Sequence, residues 1–211
     1  MNEFDLEIVN DALSALGEPA ISSFEDGSPA ANMAKARYKT IRDKMLAEQL
    51  WSFSRTRTPL QLNQEFDLPT PWRYYYNRPQ DMATTGPATV VSSNDRTGES
   101  DVEFDVLDGF IVSNSKDVDA IYSGLVDASQ FSAGFKHCLA LKIAESFGSA
   151  LTADDDRVRE IRMQLWGNGR NDAGEWGRLL IADSSSRPPA SFRSDRVIQS
   201  RFGGYGYRRA Y

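Results

Sequence analysis

Five prolines between positions 59 and 87 (Pro59, Pro69, Pro71, Pro79 and Pro87) rule out a long helix across the middle of this 211-residue chain. Proline lacks the backbone N–H that an interior helical position needs, and its ring clashes with the preceding turn. The runs around these breaks favour strands instead: Pro59-Leu60-Gln61-Leu62, Trp72-Arg73-Tyr74-Tyr75-Tyr76 and Ala88-Thr89-Val90-Val91. Val102, Phe104 and Val106 alternate with acids, as a half-buried strand does. Asp108-Gly109 then sits between Val106-Leu107 and Phe110-Ile111, a strong hairpin signal. A last strand over 119–122 completes an antiparallel region of four to six strands.

Helical periodicity flanks this region on both sides. Ile8, Val9, Ala12, Leu13 and Leu16 form one stripe over 5–16, with Gly17 as a C-terminal stop and Pro19 beyond it. Ser28-Pro29 reads as an N-cap followed by proline at the first helical position, and Ala34, Tyr38, Ile41 and Met45 carry a second helix to about Leu50. Helix returns at Ser129, where Phe131, Phe135, Cys138, Leu139, Ile143 and Phe147 share a face. Thr152 reads as the cap of a fourth helix whose first turn holds Asp154, Asp155 and Asp156, favoured there by the helix dipole. Its stripe (Val158, Ile161, Leu165, Trp176, Leu179) is interrupted by Asp172 and weakened by Gly167, Gly169, Gly174 and Gly177.

The expected fold is therefore α+β. A four-helix body (1–50 and 129–183) carries an inserted antiparallel β region (51–128), and a Gly/Tyr/Arg-rich tail follows (184–211). No stretch approaches the roughly 20 apolar residues of a bilayer span, and the first residues lack a secretory pattern, so a soluble, cytosol-made chain with no membrane partner is expected.

The net charge of −6 conceals an asymmetry. Residues 187–211 hold six Arg against Asp195, a balance of +5, which leaves −11 for the rest of the chain. Ten acids lie between Asp81 and Asp127, facing Arg96 and Lys116 alone. An acidic middle and a basic end imply two different partners.

Candidate catalysts are scarce. With one His and one Cys, neither a disulfide framework nor a single-chain structural zinc site is expected, and no cofactor is implied. His137 and Cys138 are helix neighbours whose side chains diverge by about 100°, which does not make a nucleophile–base pair. Asp154, Asp155 and Asp156 read as charge at a helix start, and Asp101, Glu103 and Asp105 as the solvated face of a strand. Trp72, Tyr74, Tyr75 and Tyr76 are candidates for core packing or subunit contact.

Several stretches taken together resemble one family. Asn10-Asp11-Ala12-Leu13-Ser14-Ala15-Leu16-Gly17-Glu18-Pro19-Ala20-Ile21-Ser22-Ser23, then Leu50-Trp51-Ser52-Phe53-Ser54, are similar to the opening blocks of the tail tubular protein A family, the head-to-tail adaptors of short-tailed, T7-like bacteriophages. The segment 72–81, closing in Pro79-Gln80-Asp81, resembles the family's aromatic block. Ile121-Tyr122, Asp127-Ala128-Ser129-Gln130-Phe131 and Leu139-Ala140 resemble its third. The likeness spans about 5–182 in order and spacing; the Arg/Gly/Tyr tail lies outside it.

The resemblance implies a non-enzymatic virion protein made in the host cytoplasm: a dodecameric ring that docks on the portal protein above and the tail nozzle protein below. DNA passes through its lumen without specific binding, and an acidic surface near such a channel suits that passage. The tail residues Arg193, Arg196, Arg201, Tyr205, Tyr207, Arg208 and Arg209 combine the types enriched in binding hot spots, and are candidates for an arm that docks on the portal. The rival readings are a nucleic-acid-binding module that uses the same tail and an envelope-glycan hydrolase with a carboxylate pair.

Overall fold

The computed structural model describes residues 1–64, 71–95, 101–152, 154–169 and 172–186. Its fold is α+β, with helices at both ends of the chain and strands between them. Helix α1 (Glu3–Leu16) starts on a capping box: the Asn2 side chain accepts from the Asp5 N–H, and the Asp5 carboxylate accepts from the Asn2 N–H. It stops at Gly17, whose φ of 77° is the left-handed conformation glycine tolerates. Helix α2 (Pro29–Ala47) begins at Ser28, whose Oγ accepts from the Ala31 N–H, and ends three residues short of Leu50.

Among the described residues seven short strands follow, one more than the upper limit expected: β1 (Arg55–Pro59), β2 (Gln61–Leu62), β3 (Tyr74–Asn77), β4 (Thr89–Ser92), β5 (Phe104–Leu107), β6 (Phe110–Ser113) and β7 (Val118–Ser123). They form two antiparallel sheets, ordered β1-β7-β4 and β2-β3-β6-β5. The expected strand at 59–62 is divided. Pro59 ends β1, paired with Asp119 of β7, whereas Gln61 and Leu62 pair with β3 in the other sheet. The Asp108-Gly109 hairpin forms, with φ of 50° and 83° at the two turn residues, as a type I′ turn requires.

Strand β7 is buried along its whole length. Val118, Ala120 and Tyr122 pack in one apolar cluster with Tyr76, Val90 and Ile111. Asp119 in the same strand is buried with its hydrogen bonds satisfied: Arg57 Nε donates to it at 2.7 Å and Ser93 Oγ at 2.5 Å.

The C-terminal part holds α3 (Ala133–Leu151), α4 (Asp155–Trp166) and α5 (Gly174–Ser185), so the described residues form five α-helices where four were expected. Two starts also move. Ser129 lies in a 3₁₀ turn (Ala128–Gln130) capped by Asp127, and α3 begins only after its own N-cap, Ser132. Thr152 closes α3, while Asp154 caps α4 by accepting from the Arg157 N–H at 3.0 Å. The fourth helix is divided at Gly167, which has φ 74° and ψ −174°, a backbone region open essentially to glycine alone. No helix among the described residues is long and apolar enough to cross a membrane.

The main core gathers Ile8, Leu13, Tyr38, Leu46, Leu139 and Phe147 between α1, α2 and α3. Trp51 and Ala128 join it from the two ends of the β segment, and α5 runs two residues past 183. A buried polar contact joins α1 to α2 within this core: Tyr38 Oη donates to Asp5 Oδ1 at 2.6 Å. Burial, with the Asp5 carboxylate beside it, pushes the Tyr38 phenol far above its ordinary range. Tyr38→Phe leaves one buried carboxylate oxygen without its donor, so urea titration is expected to show a loss of about 1.5–3 kcal/mol. A loss under about 0.5 kcal/mol would mean that the pair adds nothing to packing.

Candidate interaction surfaces

The aromatic run of β3 divides between core and surface. Tyr76 is fully buried, and its hydroxyl donates to the carbonyls of Ser115 and Lys116 at 2.5 and 2.8 Å. Burial pushes that phenol up to about 12, so it stays a donor at any working pH. Tyr75 is buried as well, while Trp72 and Tyr74 are half-buried. Tyr75 and Tyr76 point to opposite faces of the sheet and both are buried, so the sheet is covered on both faces at this point.

The acids of the middle segment lie mostly outward. Asp101, Glu103, Asp105 and Asp108 are all exposed, and Val102, Phe104 and Val106 between them are half-buried. Thr89 Oγ1 donates to Asp101 at 2.9 Å, tying the row to β4. Strand β5 is at the end of its sheet, paired there with β6. The row is thus an acidic strip on a sheet edge, ending at the hairpin turn.

His137 is exposed on α3, whereas Cys138 beside it is buried, and burial raises its thiol to about 11. A thiol so raised is not a nucleophile near neutral pH. Among the described residues no group of three or more His, Cys, Asp or Glu side chains converges in a way that could hold a metal ion. Asp154, Asp155 and Asp156 diverge: Asp154 caps α4, Asp156 meets Arg159 at 3.1 Å, and all three are exposed.

A surface that the sequence reading passed over lies on α2. This helix carries five cations (Lys35, Arg37, Lys39, Arg42 and Lys44) against a single acid, Asp43, within a body that is otherwise acidic. Averaging charge over the body hid it; counting charge helix by helix exposes it. Arg37, Lys39 and Lys44 are exposed. A groove of about 550 Å³ opens where α2 faces α3 and α4, with Ile41 and Met45 along it and Arg37, Lys44, Lys142 and Arg162 around it. Glu145 is held there by Lys142 at 2.8 Å and Arg162 at 2.8 Å. Burial acts to raise its carboxyl, but the hydrogen bonds from Lys142, Arg162 and Trp166 and the Lys142 charge together hold it below the usual carboxylate range.

Aromatic surface adjoins this groove. Met45, Glu48 and Lys142 also border a small cleft closed by Leu165, Trp166 and Trp176. The Lys142 ammonium stands 4.7 Å from the Trp166 ring centroid, and Trp166 remains 37% exposed. Cations, apolar floor and an aromatic end make this the best-formed recess on the described surface for an acidic protein segment.

The portal-arm candidates Arg193, Arg196, Arg201, Tyr205, Tyr207, Arg208 and Arg209 lie outside the described residues. Compared with known protein families and with curated proteins, the chain matches none.

Proposed function

We propose that this chain is a structural virion protein, a head-to-tail adaptor whose copies form a ring joining the portal to the tail nozzle around the DNA channel. The observation that carries this reading is the segregation of charge over the fold. Acids cluster on the edge of the β region, cations on α2 and in the last 25 residues. A subunit of a cyclic ring needs two different, complementary faces, because each copy meets its neighbours head to tail. A separate basic segment serves a third partner, and the acidic β surface repels phosphates sliding past. The resemblance over 5–182 supplies the identity of the partners: portal on one side, nozzle on the other.

The test is the mass of the purified full chain alone and after mixing with the portal protein of the same phage, backed by electron microscopy. A closed ring coaxial with the portal is the expected result, and a lone monomer beside an unchanged portal overturns it. Ending the chain at Ser186 keeps every described helix, so its melting profile should match the full chain. Six Arg are lost with the tail, and at a few tenths to 1 kcal/mol per exposed ion pair portal affinity is expected to fall about tenfold or more. Unchanged affinity removes the tail from the portal contact. Retardation of duplex DNA by the isolated chain, lost on the same truncation, would favour the nucleic-acid reading instead.

A further inference from the structure

We propose that the β5–β6 hairpin of one copy seats its acidic strip in the α2 groove of the next copy. The proposal rests on the ring reading above and names the two faces that close it. Residues 101–108 hold four acids (Asp101, Glu103, Asp105 and Asp108) and no cation, and all four side chains are exposed. The groove is lined by four cations (Arg37, Lys44, Lys142 and Arg162) against Glu48 and Glu145, so the two surfaces carry −4 and +2. The chain's own basic tail is repelled by such a groove, which leaves an acidic segment as the complementary occupant.

Shape supports the same occupant. The hairpin narrows to a two-residue turn at Asp108-Gly109, and β5 lies on the sheet edge, free of a second strand partner in its sheet. Val102 and Phe104 turn inward onto the β core, so the alternating acids Asp101, Glu103 and Asp105 form the outward face. In the groove Arg37 and Lys44 are the exposed cations that such a face would meet. Lys142 and Arg162 are already paired to Glu145, so Arg37 and Lys44 are the cations expected to meet the strip.

Because the two faces differ, the contact is heterologous and propagates until it closes on itself. Its strength should fall as salt rises, since the charges involved are at the surface.

Three full-length variants test it on the portal: Glu103→Lys with Asp105→Lys, Arg37→Glu with Lys44→Glu, and all four together. Like charges then face each other in the first two, and the concentration needed for half assembly is expected to rise about tenfold or more in each. The fourfold variant restores opposite charges with the signs exchanged, and is expected to return to within about threefold of the unmodified chain. Where a reversal alters the melting profile, the neutral pairs Glu103→Gln with Asp105→Asn and Arg37→Gln with Lys44→Gln replace it, and a smaller rise in the same direction is expected. Paired variants that assemble like the unmodified chain, or a fourfold variant that stays unassembled, overturn the contact while the ring reading stands. Failure of the unmodified chain to form any ring overturns the ring reading itself. Loss of duplex DNA binding in the Arg37→Glu, Lys44→Glu chain with assembly intact assigns the groove to nucleic acid and overturns the proposal.

Discussion

Trp51→Ala is expected to remove about 3–5 kcal/mol of unfolding free energy, the usual cost of truncating a fully buried large aromatic. For a chain of this size the melting temperature should fall by roughly 2–4 °C per kcal/mol. Trp51 has no exposed surface and stands where the chain leaves α2 for β1. Its ring centroid lies 5.0 Å from Phe135 and 5.6 Å from Trp176, both edge-on, and 6.0 Å from Phe53 in a stacked pair. Its indole N–H donates to the Met45 carbonyl at 3.0 Å. One side chain therefore ties the end of α2 to α3 and α5, and its removal leaves a cavity among aromatic rings that cannot collapse easily. Trp51→Phe separates the terms. It keeps a ring but loses the donor and part of the volume, so a smaller loss of about 1–2 kcal/mol is expected in the same urea titration. If Trp51→Ala costs under about 1 kcal/mol, the aromatic nest is not what joins the three helices.

Much of this architecture is legible in the amino-acid order, because local chemistry and tertiary need coincide there. The stripe from Ile8 to Leu16, the Gly17 stop and the Ser28-Pro29 start each specify a helix boundary by their own backbone preferences, and each stands where expected. The Asp108-Gly109 turn is equally local. Strand β1 is different. Its sequence, Arg55-Thr56-Arg57-Thr58-Pro59, has no apolar alternation, and it is a strand because β7 offers it a full ladder and Asp119 a partner for Arg57. No local reading finds a strand specified from across the sheet.

The same limit applies to the surfaces. The acidic strip over 101–108 is visible as a string of acids, whereas the groove needs α2, α3 and α4 to be placed side by side before Lys44 and Arg162 share a rim. Helix α2 alone was readable, since its five cations lie within 19 residues. A domain-wide sum buried that local excess under the acids of the β region. The tyrosines of β3 show the converse: their type was obvious, but Tyr75 and Tyr76 are neighbours on opposite faces and both are buried, which depends on what covers each face of the sheet.

Gly167→Ala, at a half-buried turn residue, is expected to lose about 2–6 kcal/mol of unfolding free energy. Two separate costs combine. At φ 74° and ψ −174° any L residue is strained by about 1–3 kcal/mol. A Cβ at this position would also overlap the Asp172 carbonyl, and the space cannot open unless the backbone moves, which adds about 1–3 kcal/mol. The turn between α4 and α5 is built on this close approach, with Gly174 at φ 61° packed against Gly167 and Leu165 from the other side. Displacing it pulls on α5, which holds Trp176 against Trp51 and the buried Asp183 against Ser52, where the Ser52 hydroxyl and N–H donate at 2.6 and 2.9 Å. Amide exchange should therefore accelerate throughout α5 while α1 and α3 keep their protection. Gly169→Ala is the control. Its φ of 83° is also positive, but no described residue stands within 4 Å of the added carbon, so about 1–2 kcal/mol of backbone strain is the expected cost. Equal losses at 167 and 169 would show that positive φ alone matters and that the crossing of the two backbones does not hold α5 in place.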